Sequence, residues 1–291
     1  MNLRKFKQYL GFFVVVALAV AAILVWSAVF AKAEGGLLEV HFLDVGQGKA
    51  IFIEEPAGSQ ILIDGGPDNS VLQKLSEAMP FYDRDIDLLI LTHPDADHIN
   101  GLIEVLKRYS IGRIMETGIA DASANYGIWH NLIKEKNIPL IVARAGQEIK
   151  IGDGFSLEIL FPNQSLAGQS FKNTNSSSIV ARLIYGKNSF LFTGDAEEPT
   201  EAYLVGSGVK VDSDILDVGH HGSKNSTSQE FLGAVSPQEA VIQVGANNRY
   251  GHPSQETLER LKGVKILRTD LCGDITFLSD GQKYQVESNC Y

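Results

Sequence analysis

The sequence predicts an α/β domain of two β-sheets covered by helices, preceded by one apolar N-terminal segment. Three observations lead there. Short strand-like runs recur along most of the 291 residues, helical stretches fall between them, and an uncharged run from Gly11 to Phe30 stands at the N-terminus. A hydrophobic content of 44% with 21% charged residues fits a globular chain and excludes a disordered or fibrous one.

The N-terminal run follows Arg4, Lys5 and Lys7 and is long enough to cross a bilayer as a helix. Ala31-Lys32-Ala33 has the small-x-small form of a signal cleavage site, so residues 1–33 read either as a cleaved leader or as an anchor with a cytoplasmic N-terminus. Both place the remaining domain, residues 36–291, outside the cytoplasm. A buried core helix is the poorer reading, because the run has no polar face.

Strands are expected over residues 38–43, 50–53 and 61–63, separated by Gly-rich turns, then a helix over 71–79 and a buried-type strand over 88–91. A polar loop and an amphipathic helix over 99–109 follow, with a strand near 111–115, a helix near 126–136 and a strand at 140–143. The second half repeats the theme, with strands near 155–160, 178–185, 189–192, 215–218, 240–244 and 265–268 and helices near 197–205 and 257–262. Residues 163–177, rich in Ser, Asn and Gln, read as a long loop inside one domain. Gly65 and Gly66 read as turn geometry.

Four of the 25 basic residues (Arg4, Lys5, Lys7, Lys32) and none of the 35 acidic ones fall in residues 1–33. The remainder therefore carries 21 basic against 35 acidic residues, a net of −14. That is not the basic footprint of a DNA-binding surface, although bound cations would neutralise some carboxylates and leave a local positive spot. Cys272 and Cys290 are the only cysteines; in an oxidising compartment they can pair, and two free thiols are the alternative. Their spacing is no zinc-binding pattern.

The segment Thr92-His93-Pro94-Asp95-Ala96-Asp97-His98 packs four possible ligands behind a buried strand. Imidazole and carboxylate suit zinc or manganese, and alternation along an extended loop would send His93 and Asp95 toward one ion and Asp97 and His98 toward a neighbour. A helix cap at Asp97 or His98 explains one residue of the four. Asp195 ends another strand after Gly194, a place suited to a bridging carboxylate. His220 and His221 end a third strand, and Asp64 ends a fourth, where it can orient a ligand histidine. His41, His130, Phe81, Tyr82 and Trp129 read as packing or rim residues.

These motifs, with Phe42-Leu43-Asp44-Val45-Gly46-Gln47-Gly48, Val218-Gly219-His220-His221-Gly222-Ser223, Tyr250-Gly251-His252-Pro253 and Arg268-Thr269-Asp270, resemble the metallo-β-lactamase superfamily. Within it they are most similar to the extracellular hydrolase domain of ComEC-type competence proteins. The resemblance implies a four-layer αββα sandwich with two divalent metal ions, zinc or manganese, at the sheet edges. It assigns His93 and Asp95 to the first metal, Asp97 and His98 to the second, Asp195 to both, and His220, or alternatively His221, to the second. It also implies catalytic duties for Asp97, and for His252 or His221 as substrate contact or proton donor, with Ser223 beside them.

Two departures from the superfamily pattern stand out. No imidazole exists for the third position of the first metal, where Asn175 and Ser178 fall instead; an oxygen-rich site shifts preference toward harder ions. Lys49 stands where the competence-type motif carries Asp.

The resulting expectation is a metal-dependent phosphodiesterase or nuclease acting on DNA outside the membrane. A single apolar run forms no channel, so uptake itself would need a partner. The alternatives are a hydrolase of a small ester, lactone, lactam or envelope phosphodiester, favoured by the acidic balance, and a non-catalytic scaffold.

Overall fold

The computed structural model describes residues 9–23, 36–150 and 154–290. Residues 9–23 are helical (α1), with Phe12, Phe13 and Leu18 each 64–65% exposed. Among the described residues no helix is long and apolar enough to cross a membrane. The rest of the expected apolar run, and the expected cleavage site at Ala31-Lys32-Ala33, lie outside the described residues.

The first sheet is built from β1 (Leu38–Phe42), β2 (Ile51–Glu54), β3 (Gln60–Ile63), β4 (Asp85–Ile90), β5 (Ser110–Glu116) and β6 (Leu140–Val142). The second holds β7 (Glu148–Lys150), β8 (Phe155–Phe161), β9 (Val180–Tyr185), β10 (Asn188–Phe192), β11 (Ile215–Asp217), β12 (Glu239–Ile242) and β13 (Lys265–Arg268). The chain then returns to the first sheet as β14 (Ile275–Ser279) and β15 (Tyr284–Glu287). The strand orders are β15-β14-β1-β2-β3-β4-β5-β6 and β13-β12-β11-β10-β9-β8-β7. Both sheets are mixed: β3 to β6 run parallel in one and β10 to β13 in the other.

Side-chain alternation explains the layering. Val40, Phe42, Ile51, Ile53, Ile61, Ile63, Leu88 and Ile90 of the first sheet meet Leu157, Leu183, Phe190, Phe192 and Val241 of the second in one buried cluster between them. Their neighbours Phe52, Leu62 and Leu89 face outward against α2 (Ser70–Ala78), α3 (Ala96–Arg108) and α4 (Ala124–Lys136) through Leu75, Leu102 and Trp129. Leu191, Leu216, Ala240 and Ile242 pack against α5 (Glu198–Gly206) and α6 (Gln229–Val235) through Leu204 and Phe231, with Leu261 behind α7 (Gln255–Arg260). Strands buried on both faces read as continuous apolar runs rather than as strict alternation. The result is the sandwich of two sheets between helical layers that the sequence implied.

The differences are local. The helix expected from Ile99 begins at Ala96, with Asp95 as its N-cap residue, so Asp97 and His98 sit in its first turn rather than on an extended loop. β7, α6, α8 (Thr269–Cys272), β14 and β15 are additional to the expected elements. Phe81 and Tyr82 are 85% and 76% exposed in the loop that enters β4, at the opposite end of that strand from His93, and so are not core. Cys272 and Cys290 are disulfide-bonded, tying the C-terminal tail to α8. The 163–177 loop closes on the domain through buried Leu166 and ends in a 3-10 turn at Thr174–Ser177.

Candidate metal centre

Parallel strands ending at a common edge bring the ligand types together. β3 and β4 are parallel neighbours, and beyond them Asp64 and His93 emerge side by side. β10 and β11 are parallel neighbours too, followed by Asp195 and by the 219–222 turn. The loop after β12 supplies His252. Loops at the carboxyl ends of parallel strands are where such sheets place ligands.

Two overlapping groups of ligand atoms result. His93, His98 and Asp195, all buried, offer atoms within 4.8 Å of one another, and so do Asp97, His98 and His221. His98 Nε2 lies 3.3 Å from Asp195 Oδ1, while His221 Nε2 lies 3.2 Å from Asp97 Oδ2 and 3.6 Å from Asp195 Oδ2. The carboxylate of Asp195 thus faces both groups, one oxygen to each. His93 Nε2, His98 Nε2 and Asp195 Oδ1 are buried without a hydrogen-bond partner. Buried polar atoms without partners are costly, so this donor set fits a bound cation.

The surrounding side chains orient these donors. Asp64 Oδ2 is 2.7 Å from His98 Nδ1 and also accepts from the Thr92 hydroxyl, while its Oδ1 accepts from Thr92 N–H. That leaves His98 Nε2 as the free nitrogen, the carboxylate–histidine arrangement typical of metal ligands. His221 Nδ1 sits 2.8 Å from the Gln243 carbonyl and donates to it, which frees Nε2 in the same way. His93 Nδ1 is within reach of Thr92 Oγ1 and Ser178 Oγ, and Ser178 Oγ also accepts from Asp195 N–H. The approach of α3 depends on glycine: a Cβ on Gly101 would lie 1.7 Å from the Gly65 carbonyl oxygen, so any larger residue would push His98 away from Asp64.

Charge balance follows from burial. Desolvation and the nearby His98 bring His93 down to about 4, so it is a neutral imidazole at pH 7. Burial acts against charge on His98, yet the carboxylates of Asp195 and Asp64 overcome it and raise His98 well above the usual histidine range. Asp195 shows the mirror image: burial is outweighed by His98 and His221, and it stays well below the usual carboxylate range. Burial is likewise outweighed at Asp97, where the His221 hydrogen bond holds the carboxyl at about 2. Cation binding at His98 Nε2 would need the neutral imidazole, so a bound metal would take over the charge that now faces Asp195 and Asp64.

Several expected residues stand elsewhere. Asp95 falls outside both groups; its side chain is 41% exposed, lies 3.8 Å from His93 Nε2 and accepts from the Thr174 hydroxyl. Of the two histidines left open for the second group, His221 is the one that falls within it. The tight 219–222 turn puts both residues at positive φ, which turns His221 inward and leaves His220 at the rim, near Glu197 and Asn175 and 3.8 Å from Asp195. Ser223 follows the turn, its N–H bonding the His220 carbonyl and its hydroxyl accepting from Asn225 N–H. His252 packs ring to ring with His220 and His221; burial and those two imidazoles lower it to about 4.

Sequence reasoning missed Thr92 and Gln243. Thr92 had a signal in its place directly before His93; Gln243, fully buried beyond β12, had none.

The comparisons with known proteins agree with this architecture. The metallo-beta-lactamase superfamily profile matches residues 43–245. ComE operon protein 3 of Bacillus subtilis (strain 168) is 31% identical over 259 residues, spanning 82% of this chain and 33% of that protein. Recombination protein 2 of Haemophilus influenzae is 34% identical over 232 residues, 78% of this chain and 27% of the other. Competence protein ComA of Neisseria gonorrhoeae is 31% identical over 243 residues, 80% and 31% respectively. The chain thus spans about a third of the length of these curated relatives. Among solved structures, the metallo-beta-lactamase fold protein YhfI of Bacillus subtilis superposes with a TM-score of 0.57 at 13% identity, covering 84% of this chain and 100% of that one. Igni18, a metallo hydrolase of Ignicoccus hospitalis, superposes with a TM-score of 0.51 at 16% identity, covering 82% and 98%. With the profile spanning most of the chain and the fold matching throughout, this protein belongs to the metallo-β-lactamase superfamily.

Proposed function

We propose that the protein is a two-metal phosphodiesterase that cleaves DNA outside the cytoplasmic membrane, in concert with a partner that carries the strand across. The observation that carries this reading is the buried donor set, in which His93 Nε2, His98 Nε2 and Asp195 Oδ1 converge without a hydrogen-bond partner. His98 has one free nitrogen, because Nδ1 faces Asp64, and so serves one ion. Asp97, His98 and His221 would hold that ion, with Asp195 beside them. His93 and Asp195 would hold the other, with the Asp95 carboxylate, 3.8 Å from His93 Nε2, as its further oxygen, and the fewer imidazoles would make it the poorer site. When bound, divalent cations lower the pKa of a water and offset the charge that develops on a phosphoryl oxygen.

The chain's own groups do the rest. Asp195 links the two positions, Ser178 and Thr92 fix His93, and Gln243 fixes His221. His252, ring to ring with His221 at the rim, acts as a substrate contact or proton donor. DNA as substrate is supported by the competence and recombination proteins among the relatives. The Cys272–Cys290 disulfide and the exposed apolar face of α1 support an extracytoplasmic domain anchored by, or released from, its N-terminal segment.

The net charge of −10 favours a second reading, hydrolysis of a small ester, lactone, lactam or envelope phosphodiester. The test strips the full chain of metal, restores Mn²⁺ or Zn²⁺, and compares bis(p-nitrophenyl) phosphate with single-stranded DNA, using folded Asp195→Ala and Asp195→Asn controls. Metal-dependent cleavage of both substrates, lost in the controls, supports the nuclease. Cleavage of the small substrate alone selects the second reading. Metal binding with turnover of neither ends the phosphodiesterase reading and leaves a scaffold or a lactonase-like enzyme.

A further inference from the structure

A column of flat groups leads outward from the ligand cluster. His221 and His252 lie 6.4 Å apart at an interplanar angle of 24°, and His252 and Tyr250 lie 5.9 Å apart at 23°. The Arg249 guanidinium carbon stands 5.1 Å over the Tyr250 ring, and Nη2 donates to the Tyr250 hydroxyl. Exposure rises along the column, from 1% at His221 to 55% at Tyr250.

The loop carrying these groups is built rather than loose. Asn248 Oδ1 accepts from the N–H of Tyr250 and of His252, and its Nδ2 donates to the His252 and Gly245 carbonyls. One side chain thus fixes both ends of the turn that presents Tyr250. Neither Arg249 nor Tyr250 contributes to the core or to the ligand groups.

We infer that Arg249 and Tyr250 form a subsite for an unpaired nucleobase of the strand being cleaved, an inference that rests on the phosphodiesterase reading above. Aromatic rings and guanidinium planes hold single-stranded bases by stacking, which is tolerant of sequence. Stacking also needs no net positive charge, and so explains how a chain of net charge −10 would retain a polyanionic strand that its overall charge repels. Arg249 adds a cation at the outer end of the column. A duplex keeps its base faces hidden, so the subsite selects single strands.

The experiment measures fluorescence anisotropy of a labelled oligothymidylate with the full chain, beside an abasic strand and a duplex of equal length. Tyr250→Ala should weaken oligothymidylate binding about tenfold or more, with Tyr250→Phe close to wild type. Wild type should bind the abasic strand and the duplex correspondingly weakly, an arm that needs no variant to fold. Equal affinity for base-bearing and abasic strands overturns the subsite, as does a well-folded Tyr250→Ala with unchanged affinity. Hydrolysis of bis(p-nitrophenyl) phosphate by wild type is scored separately. Base-dependent binding without that hydrolysis leaves the subsite standing and removes the hydrolase, whereas hydrolysis with base-independent binding removes the subsite alone.

Discussion

Lys49 Nζ lies 2.7 Å from Asp217 Oδ2, and both side chains are 1% exposed. The ammonium also donates to the Val218 carbonyl, while Asp217 accepts from Thr193 N–H and from Gln243 Nε2. The pair therefore joins the β1–β2 loop of one sheet to the strand of the other that leads into His221. Burial pushes the Asp217 carboxyl up against the pull of Lys49, so the fold invests desolvation energy at this point.

Removing one partner should expose that cost. Lys49→Met leaves Asp217 buried and unpaired and should destabilise the fold by about 3–5 kcal/mol, while the double variant Lys49→Met/Asp217→Leu should recover much of the loss. Urea unfolding of the single and double variants checks this. A single-variant loss below about 1 kcal/mol would mean that the pair does not clamp the sheets.

The two metal positions are predicted to be unequal. His221→Ala and Asp97→Ala should lose the tighter ion, His93→Ala the weaker one, and His220→Ala neither, because His220 stands outside both ligand groups. Metal content after dialysis, measured by plasma mass spectrometry, reads this directly. Loss of an ion in His220→Ala with retention in His221→Ala would reverse the assignment.

The fold was legible in the sequence wherever burial wrote a pattern. β1 to β5 and β8 to β13 are apolar runs bounded by turn residues, and α2 and α3 have a clear apolar face. β14 was not legible because its partner β1 lies more than two hundred residues away, and β15, which pairs with β14 at the sheet edge, alternates between half-buried and exposed residues and so buries no continuous apolar run. α6 is a single short helix containing Gly233, stabilised by the Ser228 cap rather than by propensity. At the site, residue types and strand ends identified His93, His98 and Asp195. The choice between His220 and His221 was set by the left-handed backbone of a tight turn, and Asp95 became the N-cap residue of α3, its carboxylate 3.8 Å from His93 Nε2. Backbone conformation of this kind depends on tertiary packing, not on residue type.

The disulfide closes a loop of sequence separation 18 at the C-terminus. On the chain-entropy account, a loop of that size contributes about 3 kcal/mol. Reduction under native conditions, or Cys272→Ser with Cys290→Ser, should lower the thermal midpoint. The tail should become protease-sensitive ahead of the rest, because it lies at the sheet edge formed by β15. An unchanged midpoint would show that β14 and β15 hold the C-terminus without the crosslink.

Glu116 supplies a test of burial energetics away from the metals. It ends β5 at 1% exposure, accepts from Trp129 Nε1 at 2.7 Å and from the Tyr126 hydroxyl at 3.3 Å, and faces His130 Nε2 at 3.3 Å. Burial raises its carboxyl above the ordinary range, against the opposing pull of His130 and the two donors. A raised folded-state pKa means that the folded protein binds the proton more tightly than the unfolded chain. The stabilisation is then full below the unfolded Glu value of about 4.3 and is lost as pH rises through the folded value. Glu116→Gln keeps a carbonyl for Trp129 and removes the ionisation. Its stability relative to wild type should therefore improve steadily from about pH 4.3 upward, then level off once Glu116 is ionised in both states. Urea midpoints of the two proteins across that range decide the matter: a pH-independent difference would show that His130 and the two donors cancel the effect of burial, and one of opposite slope that they outweigh it.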